Sequence, residues 1–157
     1  MVKVSTVPLA KKYIKKINSK IKVDVYDESF SKKNASDLVS RYKIIVDCTD
    51  DLLTRYLICD ITKKLNKIHV YAALHKNQGQ LSVFNYQNGP NYRSIFPIFN
   101  ESSNILNCND VGVLGTLPGI LGILQANEVI KIILGHDEIL SGKIMIIDLL
   151  KNEFKLL

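Results

Sequence analysis

Residues 46–60 pass from a β-branched run through a carboxylate-rich turn into a helical segment. A strand that leads into a helix in this way is typical of α/β sheets, whose ligands bind at the carboxyl ends of the strands. The N-terminus of such a helix adds N–H groups and the positive end of the helix dipole. With Thr49 or Asp50 as the predicted N-cap, Asp51 beside them and Arg55 one turn into the helix, the segment is predicted to hold a charged ligand or a metal-bound phosphate.

Hydrophobic periodicity along the chain predicts alternating helices and strands. The predicted helices span residues 6–17, 35–41, 51–65 and 113–134, the last ended by Gly135. The predicted strands span residues 21–26, 43–48, 68–74, 80–86, 143–148 and 153–157. Strand 43–48 is apolar enough for burial on both faces, strand 80–86 is a hairpin partner of 68–74, and the last two strands form an antiparallel pair. The pattern predicts an α/β fold with a parallel sheet finished by antiparallel strands, and a long crossover-type loop over residues 87–112.

The net charge of +6 arises within residues 1–33, which hold nine lysines against three carboxylates. Such a basic end is typical either of a surface that binds nucleic acid or an acidic protein, or of the solvated face of an amphipathic helix. We favour the solvated face, because Lys11, Lys12, Lys15 and Lys16 are what the polar side of an amphipathic helix presents. Nucleic-acid binding is disfavoured, because aromatic residues do not alternate with the lysines as stacking platforms require. Three cysteines without any CxxC pattern indicate a reducing compartment, and we therefore expect a cytoplasmic protein.

The apolar run over residues 111–124 raises the question of a membrane segment. It is too short to span a bilayer, contains Pro118 and passes directly into polar residues, so we expect a buried helix and no membrane. Its glycines recur every three or four residues, which predicts that another element packs closely against the helix. These glycines are Gly112, Gly115, Gly119 and Gly122.

Several short motifs occur in one order along the whole chain. They are DCTD at 47–50 with TRY at 54–56, GQLSVF at 79–84, CNDVGVLG at 108–115, LQA at 124–126 with Glu128, and SGK at 141–143 with Phe154. Together they resemble the ThiF/MoeB family, the bacterial relatives of ubiquitin-activating enzymes. The resemblance implies a Rossmann-like sheet that binds ATP and Mg²⁺. It also implies adenylation of the C-terminal glycine of a ubiquitin-fold sulfur-carrier protein.

The resemblance implies roles for particular residues. Asp50 matches the family aspartate that supports Mg²⁺–ATP, Thr49 and Asp51 flank it in the nucleotide-binding turn, and Arg55 helps to orient the nucleotide. Cys108 lies where relatives that form a thio-intermediate place a nucleophile. Two alternatives stay open: Asp50 serves only as an N-cap, or Cys108 is simply an exposed thiol.

The remaining cysteines and the histidines have simpler interpretations. Cys48 and Cys59 are interpreted as small core residues. His69, His75 and His136 are interpreted as core or surface residues, because their spacing brings no two of them to one metal.

The family's Gly-rich phosphate-binding turn does not occur in this sequence, and neither does the GxGxxG of nicotinamide dehydrogenases. We therefore expect a partial Rossmann-like, ThiF-type sheet that lacks the first βαβ unit. In the usual strand order, two missing strands would leave a gap of about 14 Å between strands 21–26 and 43–48. A shift of strand 21–26, a homodimer or complementing chain, or a longer parent chain would fill that gap.

The CYRC zinc motif of many relatives reads Asn91-Tyr92-Arg93-Ser94 here, so we expect no zinc. We expect the isolated chain to need a contribution from elsewhere to hold a triphosphate. The competing hypothesis is a non-catalytic subunit that binds the carrier protein and has lost ATP binding.

Overall fold

The computed structural model describes residues 6–97 and 112–157, which divide into two units, Met1–Phe30 and Ser31–Leu157. The first unit contains the predicted amphipathic helix as α1, Thr6–Ile17. The strand predicted over residues 21–26 is wrong, because these residues form no strand. Val23 and Val25 alternate with charged residues, but an extended segment becomes a strand only when a neighbour takes its backbone hydrogen bonds.

The second unit is built on one five-stranded sheet, in which strand order follows chain order. Its strands are β1 Ile44–Asp47, β2 Ile68–His75, β3 Gln78–Phe84, β4 Met145–Asp148 and β5 Glu153–Leu156. The pair β1–β2 is parallel, with Asp47 level with Tyr71, and every later pair is antiparallel. The predicted combination of a parallel start with antiparallel C-terminal strands is confirmed.

Four helices belong to the same unit: α2 Ala35–Ser40, α3 Leu52–Lys64, α4 Tyr92–Ile95 and α5 Thr116–Leu134. On one face of the sheet, α5 packs against β2 and β3 over a core that includes Val70, Leu81 and Leu121. On the other face, α3 and α4 cover an aromatic cluster that includes Tyr71 and Phe84. The alternation of side chains along β2 therefore divides its residues between two cores.

Strand β1 lies at one edge of this sheet, which corrects two expectations. Residues 21–26 supply no strand on its far side, and the five described strands are contiguous, so no gap opens inside the sheet. Val46 is 44% exposed rather than buried on both faces, because β1 pairs only with β2. An apolar strand with one partner is unusual at an edge, where charged residues normally discourage further pairing.

Glycine has a clear structural role at two places. A Cβ on Gly79 would lie 2.7 Å from Leu121 Cδ1, so the absence of a side chain lets β3 and α5 approach closely. Gly135 ends α5 in the left-handed conformation with φ 68°, as predicted. The expectation of close packing along the α5 glycines is wrong for the described residues. A Cβ at Gly119 or Gly122 would meet no atom within 4 Å.

Helix α5 has 19 residues and a most apolar window with mean hydropathy 1.5, so it is long and apolar enough to cross a membrane. It is the one such helix among residues 6–97 and 112–157, and the expectation that this run is too short is corrected. One helix of this kind is weak evidence, because core helices of soluble proteins meet the same criteria. Only 22% of its window is buried: Gln125 and Glu128 face the core, whereas Ile123, Ile130 and Ile133 are exposed.

Candidate functional site

The turn between β1 and α3 is organised by two aspartates with different partners. Asp51 is the N-cap of α3, since its carboxylate accepts hydrogen bonds from the Thr54 N–H at 2.7 Å and the Thr54 hydroxyl at 2.5 Å. These hydrogen bonds lower the pKa of Asp51. The predicted N-cap, Thr49 or Asp50, is therefore wrong by one or two residues, because only Asp51 lies three residues before an amide that its side chain can reach.

Asp50 is exposed, and its side chain makes no hydrogen bond or ion pair with any residue in the described ranges. Its alternative role as an N-cap is excluded by the cap at Asp51. An unpartnered carboxylate beside a helix N-terminus is available to a cation, and Mg²⁺ prefers such oxygen ligands.

A cleft of about 360 Å³ opens at the carboxyl end of β1, between this turn, the distal half of β2 and α5. It brings together three of the predicted site residues, Thr49, Asp50 and Arg55. Asp51 does not line it. Cys108 lies outside the described residues. The position of the cleft agrees with the general rule that ligands of α/β sheets bind beyond the carboxyl ends of parallel strands.

Behind the cleft lies Asp47, a buried carboxylate that contacts the lining residues Thr49 and Arg55. The sequence analysis did not assign it to the site. Asp47 has no exposed surface, and its Oδ1 accepts hydrogen bonds from the Thr49 N–H at 2.9 Å and the Thr49 hydroxyl at 2.7 Å. Its Oδ2 lies 3.3 Å from His69 Nε2 and 3.7 Å from Arg55 Nε. Burial alone would raise the pKa of Asp47, but the hydrogen bonds from His69 and Thr49 outweigh it and hold the pKa below its usual range.

Arg55 is held from three sides. Its Nη2 donates to the Thr49 carbonyl at 2.7 Å, its Nε faces Asp47, and its guanidinium lies over the Tyr71 ring at 5.4 Å. The side chain is only 11% exposed, and the exposed part borders the cleft. The Nε atom is buried without a hydrogen-bond partner among the described residues. Arg55 therefore presents a fixed positive charge to any ligand in the cleft.

Gln125 connects α5 to the neighbouring strands β1 and β2 by hydrogen bonds. Its amide donates to the Asp47 carbonyl at 2.8 Å and to the Val70 carbonyl at 3.3 Å, and the side chain is almost completely buried. One turn on, Glu128 accepts a hydrogen bond from the Leu140 N–H at 3.0 Å. These contacts explain two polar residues inside an otherwise apolar helix. A glutamine in the middle of a long apolar run is the signal that could have identified this contact from the sequence.

The two cysteines that were predicted to be core residues, Cys48 and Cys59, lie in different environments. Cys59 is buried as expected, but Cys48 is exposed and borders the cleft, so its interpretation as a core residue is wrong. Cys48 sits beyond the last paired residue of β1, where the sheet no longer covers its side chain. Burial raises the pKa of the Cys59 thiol. The Cys48 residue is exposed as a whole, but partial desolvation of its thiol and the negative charge of Asp47 raise its pKa as well.

Among its described lining residues, the cleft holds a single carboxylate, Asp50, and its Cys48 and His75 do not assemble with it into a metal site. No group of three or more His, Cys, Asp or Glu side chains gathers within the described ranges. One carboxylate, Asp50, fits a magnesium ion whose remaining ligands are phosphate oxygens and water, because Mg²⁺ is commonly bound in this way.

A larger cleft, of about 630 Å³, lies on the outer side of α3 and shares none of the predicted site residues. Its arginine, Arg93, is already paired with Asp60 through two hydrogen bonds of 2.7 and 3.0 Å. The same guanidinium lies over the Tyr56 ring at 4.4 Å. We therefore treat the smaller cleft as the candidate site.

Known proteins resemble this chain along nearly its whole length. A probable molybdopterin-synthase adenylyltransferase from Pyropia yezoensis is 45% identical over 151 residues, which cover 96% of this chain and 40% of the relative. The adenylyltransferase and sulfurtransferase MOCS3 from Culex quinquefasciatus is 40% identical over 146 residues, covering 93% of this chain and 33% of the relative. The chain thus spans less than half the length of either relative.

Among solved structures, E. coli MccB with ATP superposes with a TM-score of 0.76 at 16% identity, over 99% of this chain and 47% of MccB. This likeness shows a shared Rossmann-like fold. The family model described as the ThiF family matches residues 2–157. By this match and by the identity to the curated relatives, the chain belongs to the ThiF family.

Proposed function

We propose that the cleft beside Asp50 binds Mg²⁺–ATP and that the chain takes part in adenylating the C-terminal carboxylate of a ubiquitin-fold sulfur-carrier protein. The names of the relatives support the reaction class, since both are adenylyltransferases. The observation on which the proposal mainly rests is the unpartnered, exposed Asp50 beside the fixed Arg55 in one cleft.

The proposed reaction needs little covalent chemistry from the protein. A C-terminal carboxylate is ionised at neutral pH and needs no general base. One of its oxygens forms a bond to the α-phosphorus of ATP, and the bond from that phosphorus to the bridging oxygen breaks, releasing pyrophosphate. The protein's task is to position the groups and to stabilise the charge of the leaving pyrophosphate.

The described residues divide that task. Asp50 would hold the magnesium ion, which would neutralise part of the phosphate charge when bound. Arg55 provides a cation whose position is set before the ligand arrives, so that little reorganisation is needed. The N–H of Leu52, the first residue of α3 and part of the cleft lining, offers a hydrogen bond to an anion at the same edge.

The competing hypothesis, a subunit that binds the carrier without ATP, also has one observation in its favour. Arg55 is the one permanently charged cation among the described residues that line the cleft, and Asp47 already offsets part of its charge. A triphosphate therefore needs further cations. Calorimetric titrations separate the two functions: affinity for both Mg²⁺–ATP and a carrier supports adenylation, whereas affinity for the carrier alone supports the second.

The decisive test of adenylation is ATP–pyrophosphate exchange by the full chain with a ubiquitin-fold carrier, with and without candidate complementing chains. We expect exchange in at least one combination and its loss in Asp50→Asn, while Asp60→Asn, a substitution outside the cleft, retains it. Absence of exchange in every combination would refute the enzymatic function.

We further propose that the chain works with a second copy or a complementing chain. Several large apolar side chains of α5 are exposed on one helix, among them Ile123, Ile130 and Ile133. Contiguous exposed apolar patches of this kind are typical of protein–protein interaction sites. In sedimentation experiments, Ile130→Lys is expected to reduce association. Leu150→Lys, at a more exposed apolar residue on the β4–β5 turn, is expected to leave association unchanged.

Cys108 remains the proposed nucleophile of a thio-intermediate. In that step its thiolate would attack the acyl carbon of the adenylate, form a thioester and displace AMP. Cys108→Ser is expected to abolish a thiol-sensitive carrier conjugate on non-reducing gels, whereas Cys48→Ser is expected to retain it.

A further inference from the structure

His69 is a buried titratable residue that has no role in the proposed chemistry. It is the second residue of β2, has no exposed surface, and packs its ring 5.7 Å from that of Phe84. An apolar side chain would suit this environment better, because burying a polar group costs free energy unless the group is hydrogen-bonded. Its contacts should therefore explain why a histidine lies there.

The direction of the His69 hydrogen bond follows from its partner. Asp47 Oδ2 lies 3.3 Å from His69 Nε2, and an ionised carboxylate can only accept. The proton is therefore assigned to Nε2, which donates to Asp47. The other ring nitrogen, Nδ1, is buried and has no hydrogen-bond partner among the described residues. Among the described residues, the one hydrogen bond of the imidazole is thus that with Asp47.

The same oxygen attracts Arg55. Arg55 Nε lies 3.7 Å from Asp47 Oδ2, which is within ion-pair range but too far for a hydrogen bond. An unoccupied carboxylate oxygen would draw the guanidinium into a closer, charge-assisted hydrogen bond, the stronger type of contact. The donor on His69 takes one of the two lone pairs of that oxygen and satisfies part of its charge, so its attraction for Arg55 is weaker and Nη2 of Arg55 remains on the Thr49 carbonyl.

We propose that His69 is a positioning residue: by donating to Asp47 Oδ2 it weakens the attraction of that oxygen for Arg55, and so keeps the Arg55 guanidinium at the cleft for an anionic ligand. The identity of that ligand as a triphosphate rests on the proposed function. The competition between His69 and Arg55 for one carboxylate oxygen does not depend on it.

The chain has only three arginines, Arg41, Arg55 and Arg93, so the Nε–H resonances can be resolved and assigned by NMR without any ligand. In His69→Leu we expect the Arg55 Nε–H signal to move downfield as a hydrogen bond to Asp47 forms. We expect His69→Gln, whose amide reaches the Nε2 position, to keep the wild-type signal. His136→Leu, at an exposed histidine, is the control.

The second measurement is the affinity for Mg²⁺–ATP. His69→Leu is expected to weaken it about tenfold, the effect of losing one charge-assisted contact, and His69→Gln to restore it. An unchanged Arg55 Nε–H signal in a folded His69→Leu variant would overturn the proposal.

Should His69→Leu fail to fold, His69→Asn replaces it, because its shorter amide does not reach Asp47 and should produce the same shift. An Asn variant with the wild-type Arg55 signal would overturn the proposal equally. Failure of the wild-type chain to bind Mg²⁺–ATP would contradict the proposed function but would leave the Arg55 signal to decide the positioning role.

Discussion

Asp50 and Asp51 are adjacent carboxylates with opposite roles, and their substitution should separate stability from ligand binding. Asp51 caps α3, whereas Asp50 has no partner within the described ranges. We therefore expect Asp51→Ala to lower the stability of the fold and to leave the affinity of the cleft for Mg²⁺–ATP unchanged. Asp50→Ala should leave stability intact and remove the site for Mg²⁺.

The size of the effect follows from the two hydrogen bonds that Asp51 accepts from Thr54, at 2.7 and 2.5 Å. Loss of such an N-cap costs about 1 kcal/mol. In a domain of this size that is roughly 2–4 °C in Tm. Asp50, exposed and unpartnered, should change the free energy of unfolding by less than about 0.5 kcal/mol. Asp51→Asn should recover most of the loss, because asparagine caps helices as well as aspartate.

Urea denaturation followed by circular dichroism measures the free energy of unfolding, and calorimetric titration measures the affinity for Mg²⁺–ATP. The reasoning fails if Asp51→Ala retains full stability, since the cap would then contribute nothing. It fails equally if Asp50→Ala is as destabilised as Asp51→Ala. Comparing both variants in the same buffer removes differences in ionic strength, which screens the charges of the first helical turn.

Four further substitutions test the packing, the buried charge and a buried hydrogen bond. Gly79→Ala places a Cβ 2.7 Å from Leu121 and should destabilise the fold by about 1–3 kcal/mol in urea denaturation. Gly122→Ala, in open space inside α5, should stabilise it by about 0.5–1 kcal/mol, because alanine is the better helix former. Because the pKa of Asp47 is lowered by folding, its contribution is present above about pH 4, the unfolded value, and is lost as pH falls through the folded value. The stability difference between wild type and Asp47→Asn should therefore shrink between pH 7 and pH 3. Gln125→Leu should cost about 2–3 kcal/mol in the same denaturation assay, because two backbone carbonyls lose their donor.

The elements that the sequence predicted correctly are those whose signals are local. The strand–turn–helix around residues 44–64, the β2–β3 hairpin and the end of α5 at Gly135 each follow from periodicity and turn chemistry within a short window. The strand predicted over residues 21–26 had the same local signal. It failed because a strand also requires a neighbour, and no property of Val23 or Val25 specifies one.

The site divided in the same way. That Thr49, Asp50 and Arg55 lie around one cleft could be predicted, because the turn after a parallel strand is where ligands of such sheets bind; their roles stay predictions. Asp47, His69 and Gln125 could not be assigned from spacing, because their partners lie 22 to 78 residues away. Their detectable signal is polarity inside an apolar run. That signal indicates a buried hydrogen bond but does not name the partner.

The charges around the cleft lead to a last prediction, that nucleotide binds only together with Mg²⁺. Among the described residues, Asp50 and Arg55 are the permanently charged groups that line the cleft, and the buried Asp47 lies beneath Arg55. Together they carry a net charge of −1, which repels free ATP. Asp50 would hold a magnesium ion that arrives with the nucleotide, and the positive charge of that ion would replace the repulsion between Asp50 and the phosphates by attraction. Calorimetric titration with ATP in EDTA should therefore give no binding. Equal affinity with and without Mg²⁺ would show that cations outside the described cleft, rather than Asp50, hold the phosphates.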